Sequence, residues 1–335
     1  MGELMSSEQQ FPTYSPAIHA RREKISRAWI SRLRSGALIE LRHGGPRNLF
    51  LVHDGEGDTL LYLNFARRMP DDLAVFAIEP RRLARVPLAH ASIEDMAAFY
   101  VEEVRKKQPT GPYLLGGLCA GGVIAYEMAS QLVRSGETVE LVALLETATP
   151  KAPMKRGRIR EQRLNRLKEA IANARNSNLG PLKRARIVGG AISQKLVNAL
   201  LWEILQRGKQ WTVSVRFRLL RQLLTRERAW PRFVPELSVR EIYDSTHARY
   251  EPKPLPIPSV VLVRAQTGEE EDTPYRRVYD DETFGWEAVA PGLKVVDVNG
   301  GHSTMLQERF VDSLANALMP YLQHNVGSVG EHPSR

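Results

Sequence analysis

Short apolar segments alternate with amphipathic ones along two parts of this chain. The apolar segments have strand length and lie at 49–52, 73–78, 113–115, 139–145, 259–263 and 293–298. Between them, apolar residues at helical spacing predict helices at 58–68, 92–107, 123–133 and 303–322, with Ser92 as one N-cap. Strands that alternate with helices are typical of βαβ units. We therefore predict an α/β fold with a mostly parallel sheet flanked by helices.

A basic helical segment interrupts this alternation at residues 151–255. It has 24 Lys and Arg against 8 Asp and Glu, an excess of +16 in a chain whose net charge is +9. Its apolar residues recur on two helical faces: Leu164, Leu167 and Ile171, then Leu219, Leu220, Leu223 and Leu224. Because strands precede and follow this segment, we predict a helical insertion into one core formed by 48–150 and 256–323.

The two ends of the chain lack the alternating pattern. Residues 1–47 contain a short basic amphipathic helix at 18–33 and a Gly-Gly-Pro break, which predict a leader or linker, and 324–335 predict a flexible tail. No apolar run has the length of a membrane span, and no secretory signal begins the chain, so a cytoplasmic location without membrane contact is expected. No nucleic-acid motif is present, and we expect no nucleic-acid partner, cofactor or metal.

The lone cysteine of the chain lies in a glycine-rich junction between a predicted strand and a predicted helix. The motif is Gly117-x-Cys119-x-Gly121, the nucleophile-elbow pattern with Cys in place of Ser. A sharp strand-to-helix turn needs flanking residues without side chains, and the following helix N-terminus favours a thiolate. The alternative is a buried, inert cysteine in a tight turn. The position favours a nucleophile.

A cysteine nucleophile needs a base, and His302 has the position expected for it. It follows Gly300-Gly301 after the last predicted strand, where an α/β-hydrolase places its base. His53 ends a strand near the same edge of the sheet, and we interpret it as a residue that shapes the loop. The other six histidines are interpreted as solvated or structural.

The third member of the triad should orient the imidazole. Glu146 ends the strand after the elbow helix, at the carboxyl edge of the sheet, and we favour it. The competing candidates form an acidic cluster after the next strand: Glu269, Glu270, Glu271 and Asp272. For the oxyanion, the pattern predicts the backbone N–H of Ala120 and a second donor in the loop after the first core strand, where Gly55 is our choice.

Four elements in this order resemble one family. They are Asn48 to His53 with its glycine-rich continuation, the elbow at 117–122, Glu146, and Gly300-Gly301-His302. Together they resemble the thioesterase domains that terminate nonribosomal peptide and polyketide assembly lines, over residues 36–322. The resemblance implies an α/β-hydrolase fold, a mobile helical lid at 151–255, and a substrate carried as a thioester on a phosphopantetheine arm.

Two departures from that family bear on the chemistry. The family usually has Ser and Asp where this chain has Cys119 and Glu146. A thioester acyl-enzyme is attacked by amines more readily than an oxoester, which favours release by ring closure or transfer as well as by hydrolysis. The chain also contains no carrier domain, so an acidic acyl or peptidyl carrier protein would act in trans and dock on the basic lid.

Two other functions remain open at this stage. A Cys-dependent acyltransferase or polyester synthase of the same fold would rely on the later acidic cluster rather than on Glu146. A non-catalytic carrier-binding protein would keep the fold without forming an acyl adduct on Cys119.

Overall fold

The computed structural model contains one seven-stranded sheet. It describes residues 37–83, 85–155, 205, 207–226, 228–269 and 272–323. The strands of the sheet are β1 (Leu38–Arg42), β2 (Arg47–Val52), β3 (Leu73–Ile78), β4 (Tyr113–Leu118), β5 (Val139–Leu145), β6 (Ser259–Ala265) and β7 (Lys294–Val298). They are ordered β1-β3-β2-β4-β5-β6-β7. β1 is antiparallel to β3 and the other pairs are parallel, which confirms the predicted mostly parallel sheet.

Six helices are described, and those at 63–66, 93–107, 120–134 and 311–322 lie where the apolar spacing predicts helices. The six are α1 (Leu63–Ala66), α2 (Ile93–Lys107), α3 (Ala120–Arg134), α4 (207–225), α5 (Val239–His247) and α6 (Val311–Leu322). The Ser92 hydroxyl accepts a hydrogen bond from the Asp95 N–H at 3.0 Å and caps α2, as predicted. Two helices are shorter than predicted, because 3₁₀ turns at Leu60–Tyr62 and Thr304–Leu306 take up part of their length.

The predicted linker of residues 1–47 contributes a strand to the sheet. β1 pairs with β3 from Leu38 to Arg42, so the sheet begins about ten residues before the predicted boundary at 48. Ile39 and Leu41 are buried while Glu40 between them is exposed, the alternation expected of an antiparallel strand with one solvated face. This strand was not predicted, because its alternating signal is only five residues long.

The two faces of the sheet are covered by separate hydrophobic clusters. Phe50 and Val52 of β2 face the cluster that includes α2 and α3, whereas Leu49 and Leu51 face the cluster that includes α6. Strands buried on both faces explain why their sequences are continuous apolar runs. The carboxyl ends of the central strands are therefore fixed from both sides.

Part of the predicted insertion can be described. Phe217 and Leu220 of α4 are buried, and Leu219, Leu223 and Leu224 pack against the same core cluster, which confirms that face of the helix. The predicted helix at 18–33, the face formed by Leu164, Leu167 and Ile171, and the tail at 324–335 lie outside the described residues. Among the described helices, none is both long enough and apolar enough to cross a bilayer.

Candidate active site

The elbow places Cys119 between β4 and α3 in a strained conformation. Its φ of 53° and ψ of −110° are unusual for a residue with a side chain. A Cβ added at Gly117 would lie 2.4 Å from the carbonyl carbon of Gly121, and one added at Gly121 would lie 2.5 Å from the Val52 oxygen. Backbone on both sides thus leaves no room for side chains. The Gly-x-Cys-x-Gly spacing is a packing requirement of this turn.

The predicted oxyanion donors lie next to each other beside the elbow. Ala120 is the first residue of α3, where backbone N–H groups have no partner inside the helix. A Cβ added at Gly55 would lie 3.8 Å from the Cβ of Ala120, so the two residues are close neighbours. The Asp54 carboxylate fixes this loop by accepting hydrogen bonds from the N–H groups of Glu56 (2.9 Å) and Asp58 (2.8 Å).

His302 and Glu146 meet at the same edge of the sheet. The imidazole Nδ1 lies 3.5 Å from the carboxylate Oε2, and both residues are buried. Burial alone would lower the pKa of His302, but the side chains of Cys119 and Glu146 beside it outweigh burial and raise the pKa to about 9. At neutral pH the imidazole is therefore protonated, the form that pairs with a thiolate.

The Glu146 carboxylate has a fixed position. Its Oε1 accepts a hydrogen bond from the Ala265 N–H at 2.7 Å and its Oε2 accepts one from the Tyr275 N–H at 2.7 Å. The residue has a positive φ of 42° and is fully buried. Its two backbone donors keep the carboxylate aimed at the imidazole.

Tyr275 is a site residue that the sequence did not reveal. Its hydroxyl lies 3.1 Å from the Cys119 sulfur, and its ring contacts the His302 ring at an interplanar angle of 35°, with centroids 4.5 Å apart. It belongs to a 3₁₀ turn, Tyr275–Arg277, after β6. No motif or periodicity surrounds it, so sequence alone offered no signal.

Glu146, and not a described residue of the acidic cluster, supplies the carboxylate beside the imidazole. The Asp272 carboxylate accepts hydrogen bonds from the Ser303 N–H at 2.7 Å and the Thr304 N–H at 3.1 Å. Asp272 therefore fixes the backbone of the loop that carries His302. Glu269 is exposed, and Glu270 and Glu271 lie outside the described residues.

The His53 side chain has both ring nitrogens engaged away from Cys119. Nδ1 lies 2.7 Å from the backbone carbonyl oxygen of Asp54, and Nε2 lies 2.8 Å from the Tyr100 hydroxyl. Burial lowers the pKa of His53 to about 4, so the ring is neutral, with Nδ1 donating and Nε2 accepting. These contacts are those of a residue that shapes the loop.

Helix α5, which belongs to the predicted insertion, contacts the loop that contains Gly55. The Arg240 guanidinium pairs with the Glu56 carboxylate at 2.7 Å, next to Gly55 in the chain. Within the described ranges, no group of three or more His, Cys, Asp or Glu side chains is arranged to hold a metal ion. A thiol that lies beside an imidazole and at the N-terminus of a helix can act as a nucleophile.

Comparisons with polyketide synthases cover about a third of the chain. The chain is 39% identical over 116 residues to a non-reducing polyketide synthase of Preussia isomera, which is 33% of this chain and 5% of that protein. It is 40% identical over 121 residues to polyketide synthase 1 of Metarhizium brunneum, which is 34% of this chain and 6% of that protein. The chain is thus far shorter than these relatives.

Solved structures and a family model cover most of the chain. The NocB thioesterase domain from the nocardicin cluster has a TM-score of 0.51 at 22% identity, covering 86% of this chain and 99% of that one. A four-domain nonribosomal peptide synthetase bound to AMP and glycine has a TM-score of 0.53 at 24% identity, covering 90% of this chain and 21% of that one. These likenesses confirm the α/β-hydrolase fold. The thioesterase domain model matches residues 47–320, and the chain therefore belongs to the thioesterase domain family.

Proposed function

We propose that this protein is a cysteine-dependent thioesterase that takes an acyl or peptidyl chain from the phosphopantetheine thioester of a separate carrier protein onto Cys119. The observation that supports this function is the contact of His302 with both Cys119 and Glu146 at the carboxyl edge of the sheet. Residues 151–255 would form the lid over the acyl channel.

The first half of the reaction transfers the acyl group to sulfur. The Cys119 thiolate attacks the thioester carbonyl carbon, and the N–H groups of Ala120 and Gly55 stabilise the oxyanion. When the tetrahedral intermediate collapses, the bond to the pantetheine sulfur breaks and the imidazolium of His302 protonates that sulfur. Glu146 stabilises the imidazolium without taking its proton.

The second half releases the product. The neutral imidazole of His302 removes a proton from water, an amine or a hydroxyl group, which attacks the acyl carbon. Collapse of the second intermediate expels the Cys119 thiolate and regenerates the ion pair. Since the acyl-enzyme is a thioester, amines and hydroxyl groups of the substrate compete with water, and release includes ring closure or transfer.

Intact-mass measurement of the acyl-enzyme tests this function. The protein is mixed with an acyl-N-acetylcysteamine thioester and quenched in acid, and we expect a mass increase equal to the acyl group. Cys119→Ala should show no adduct, and His302→Ala should form it much more slowly. A wild-type protein that never acquires the adduct would contradict the proposal and favour the non-catalytic carrier-binding role.

A further inference from the structure

Tyr275 contacts every member of the proposed triad. Its hydroxyl lies 3.1 Å from the Cys119 sulfur, its ring makes a tilted contact with that of His302, and its backbone N–H donates to Oε2 of Glu146. The side chain is 2% exposed and packs edge-on against the rings of Tyr279 and Phe284. Its hydroxyl is therefore held at the sulfur by packing and by a backbone hydrogen bond.

The direction of the hydrogen bond follows from the ionisation states. Burial raises the pKa of Tyr275 well above its usual value, so the hydroxyl keeps its proton at any working pH. A thiolate has no proton and can only accept. In the ion pair that the proposed function assigns to Cys119 and His302, the Tyr275 hydroxyl is therefore the donor and the sulfur the acceptor.

We propose that Tyr275 is a catalytic residue whose hydroxyl donates a hydrogen bond to the Cys119 thiolate and stabilises it in the resting protein. This role deepens the proposed thioesterase function and rests on it. No proton is transferred to or from the tyrosine, and no covalent bond forms with it. The Tyr275 hydroxyl is then the third group that stabilises the Cys119 thiolate, beside the His302 imidazolium and the N-terminus of α3.

Such a hydrogen bond has opposite effects on thiol reactivity at low and high pH. It increases the fraction of thiolate where the thiol is mostly protonated, but it lowers the intrinsic nucleophilicity of the sulfur, with a Brønsted coefficient of about 0.4–0.5. A hydrogen bond to a charged group is strong enough to move an ionisation midpoint by about one pH unit. Removing it should therefore slow the reaction at low pH and accelerate it at high pH.

Alkylation with iodoacetamide measures this directly, because Cys119 is the one cysteine of the chain. Rates are measured from pH 4 to 10 for the wild type, Tyr275→Phe and the matched control Tyr279→Phe, with thermal unfolding to verify the fold. We expect the midpoint of Tyr275→Phe to rise by about one pH unit, with a rate about threefold lower below the midpoint and about threefold higher at the plateau. Tyr279→Phe should match the wild type.

The outcomes separate this inference from the proposed function. If the wild type forms the acyl adduct but Tyr275→Phe keeps the wild-type midpoint, or is slower by the same factor at every pH, the role of Tyr275 is refuted and the function stands. If the midpoint moves as expected while no acyl adduct forms, the hydrogen bond stands and the function is refuted. Should Tyr275→Phe fail to fold, 3-fluorotyrosine at position 275, a stronger donor of nearly the same shape, must lower the midpoint; an unchanged midpoint refutes the inference.

Discussion

The Nδ1 of His302 lies 3.5 Å from Oε2 of Glu146, and both oxygens of that carboxylate accept backbone hydrogen bonds. The donors are the N–H groups of Ala265 and Tyr275, each at 2.7 Å. The Glu146 carboxylate is thus fixed by the backbone of β6 and of the 3₁₀ turn that follows it. A hydrogen-bond acceptor is required at both positions, because each faces an N–H group.

Replacing Glu146 by Gln should impair both activity and stability. The amide NH₂ would face one of the two backbone N–H donors, and an unsatisfied buried donor costs about 1–3 kcal/mol. Loss of the charge beside the imidazole should lower kcat on the order of 10³-fold or more. Thioester turnover and urea unfolding measure the two effects.

The control for that variant is Glu269→Gln, which changes an exposed member of the acidic cluster. It should keep wild-type turnover. A larger loss in Glu269→Gln than in Glu146→Gln would contradict the assignment of Glu146 and support the acyltransferase alternative.

The stability of the protein should fall on the alkaline side because of His302. The pKa of His302 is about 9 in the folded state and 6.5 in a model peptide, so the folded protein binds this proton more tightly. The resulting stabilisation is complete below pH 6.5 and is lost as the pH rises through 9. The difference in free energy of unfolding between the wild type and His302→Gln should shrink by up to about 3 kcal/mol from pH 6 to pH 10. Urea titrations at both pH values test this, and a difference that grows with pH would show the shift to be in the other direction.

The elbow glycine at position 121 should not tolerate a methyl group. Its added Cβ would lie 2.5 Å from the Val52 oxygen and 2.6 Å from the His53 oxygen, both backbone atoms. Gly121→Ala should destabilise the fold by about 1–3 kcal/mol and reduce acylation. Gly208→Ala is the matched control, because α4 leaves open space there and Ala should stabilise the helix by up to about 1 kcal/mol. Equal melting temperatures for the two variants would disprove the packing requirement.

The choice of sulfur over oxygen should be visible in the products. With an acyl thioester and a competing amine, the wild type should give a higher ratio of amide to free acid than Cys119→Ser, because amines attack thioesters more readily than oxoesters. Chromatography of the products gives the ratio directly. Free acid alone from the wild type, with every amine offered, would count against transfer or cyclisation.

Carrier docking should depend on the basic face of α4. Arg218 and Arg221 are exposed there, and their positive charge would attract an acidic carrier. The double variant Arg218→Glu and Arg221→Glu should raise KM for a carrier-bound substrate several-fold and weaken its salt dependence. Turnover of the small N-acetylcysteamine substrate should stay unchanged. Equal effects on both substrates would indicate damage to the fold instead.

The sequence predicted the central parallel strands well because burial on both faces leaves a continuous apolar run. The run at 139–145 coincides with β5, residue for residue. β1 escaped prediction because it is a short strand with one exposed face, so only Ile39 and Leu41 carry its signal. A pattern of two residues cannot be distinguished from a linker by local reasoning.

The site was predictable where its residues follow directly from strand ends. The structure brings Cys119, His302 and Glu146 together, and each follows β4, β7 or β5 without a long loop. Their catalytic roles stay predictions. Tyr275 lies ten residues beyond β6, and its contact with sulfur depends on how that loop folds back over the sheet. No local pattern encodes such a return.

The two residues with positive φ at neighbouring strand ends also bear on engineering. Cys119 has a φ of 53° and Glu146 a φ of 42°, values that glycine adopts with less strain than a residue with a side chain. Stabilising substitutions are often found at strained functional positions, with activity lost in exchange. A laboratory selection for thermal stability alone should therefore replace Cys119 and Glu146 early. Libraries of stabilised variants need a screen for turnover at every round.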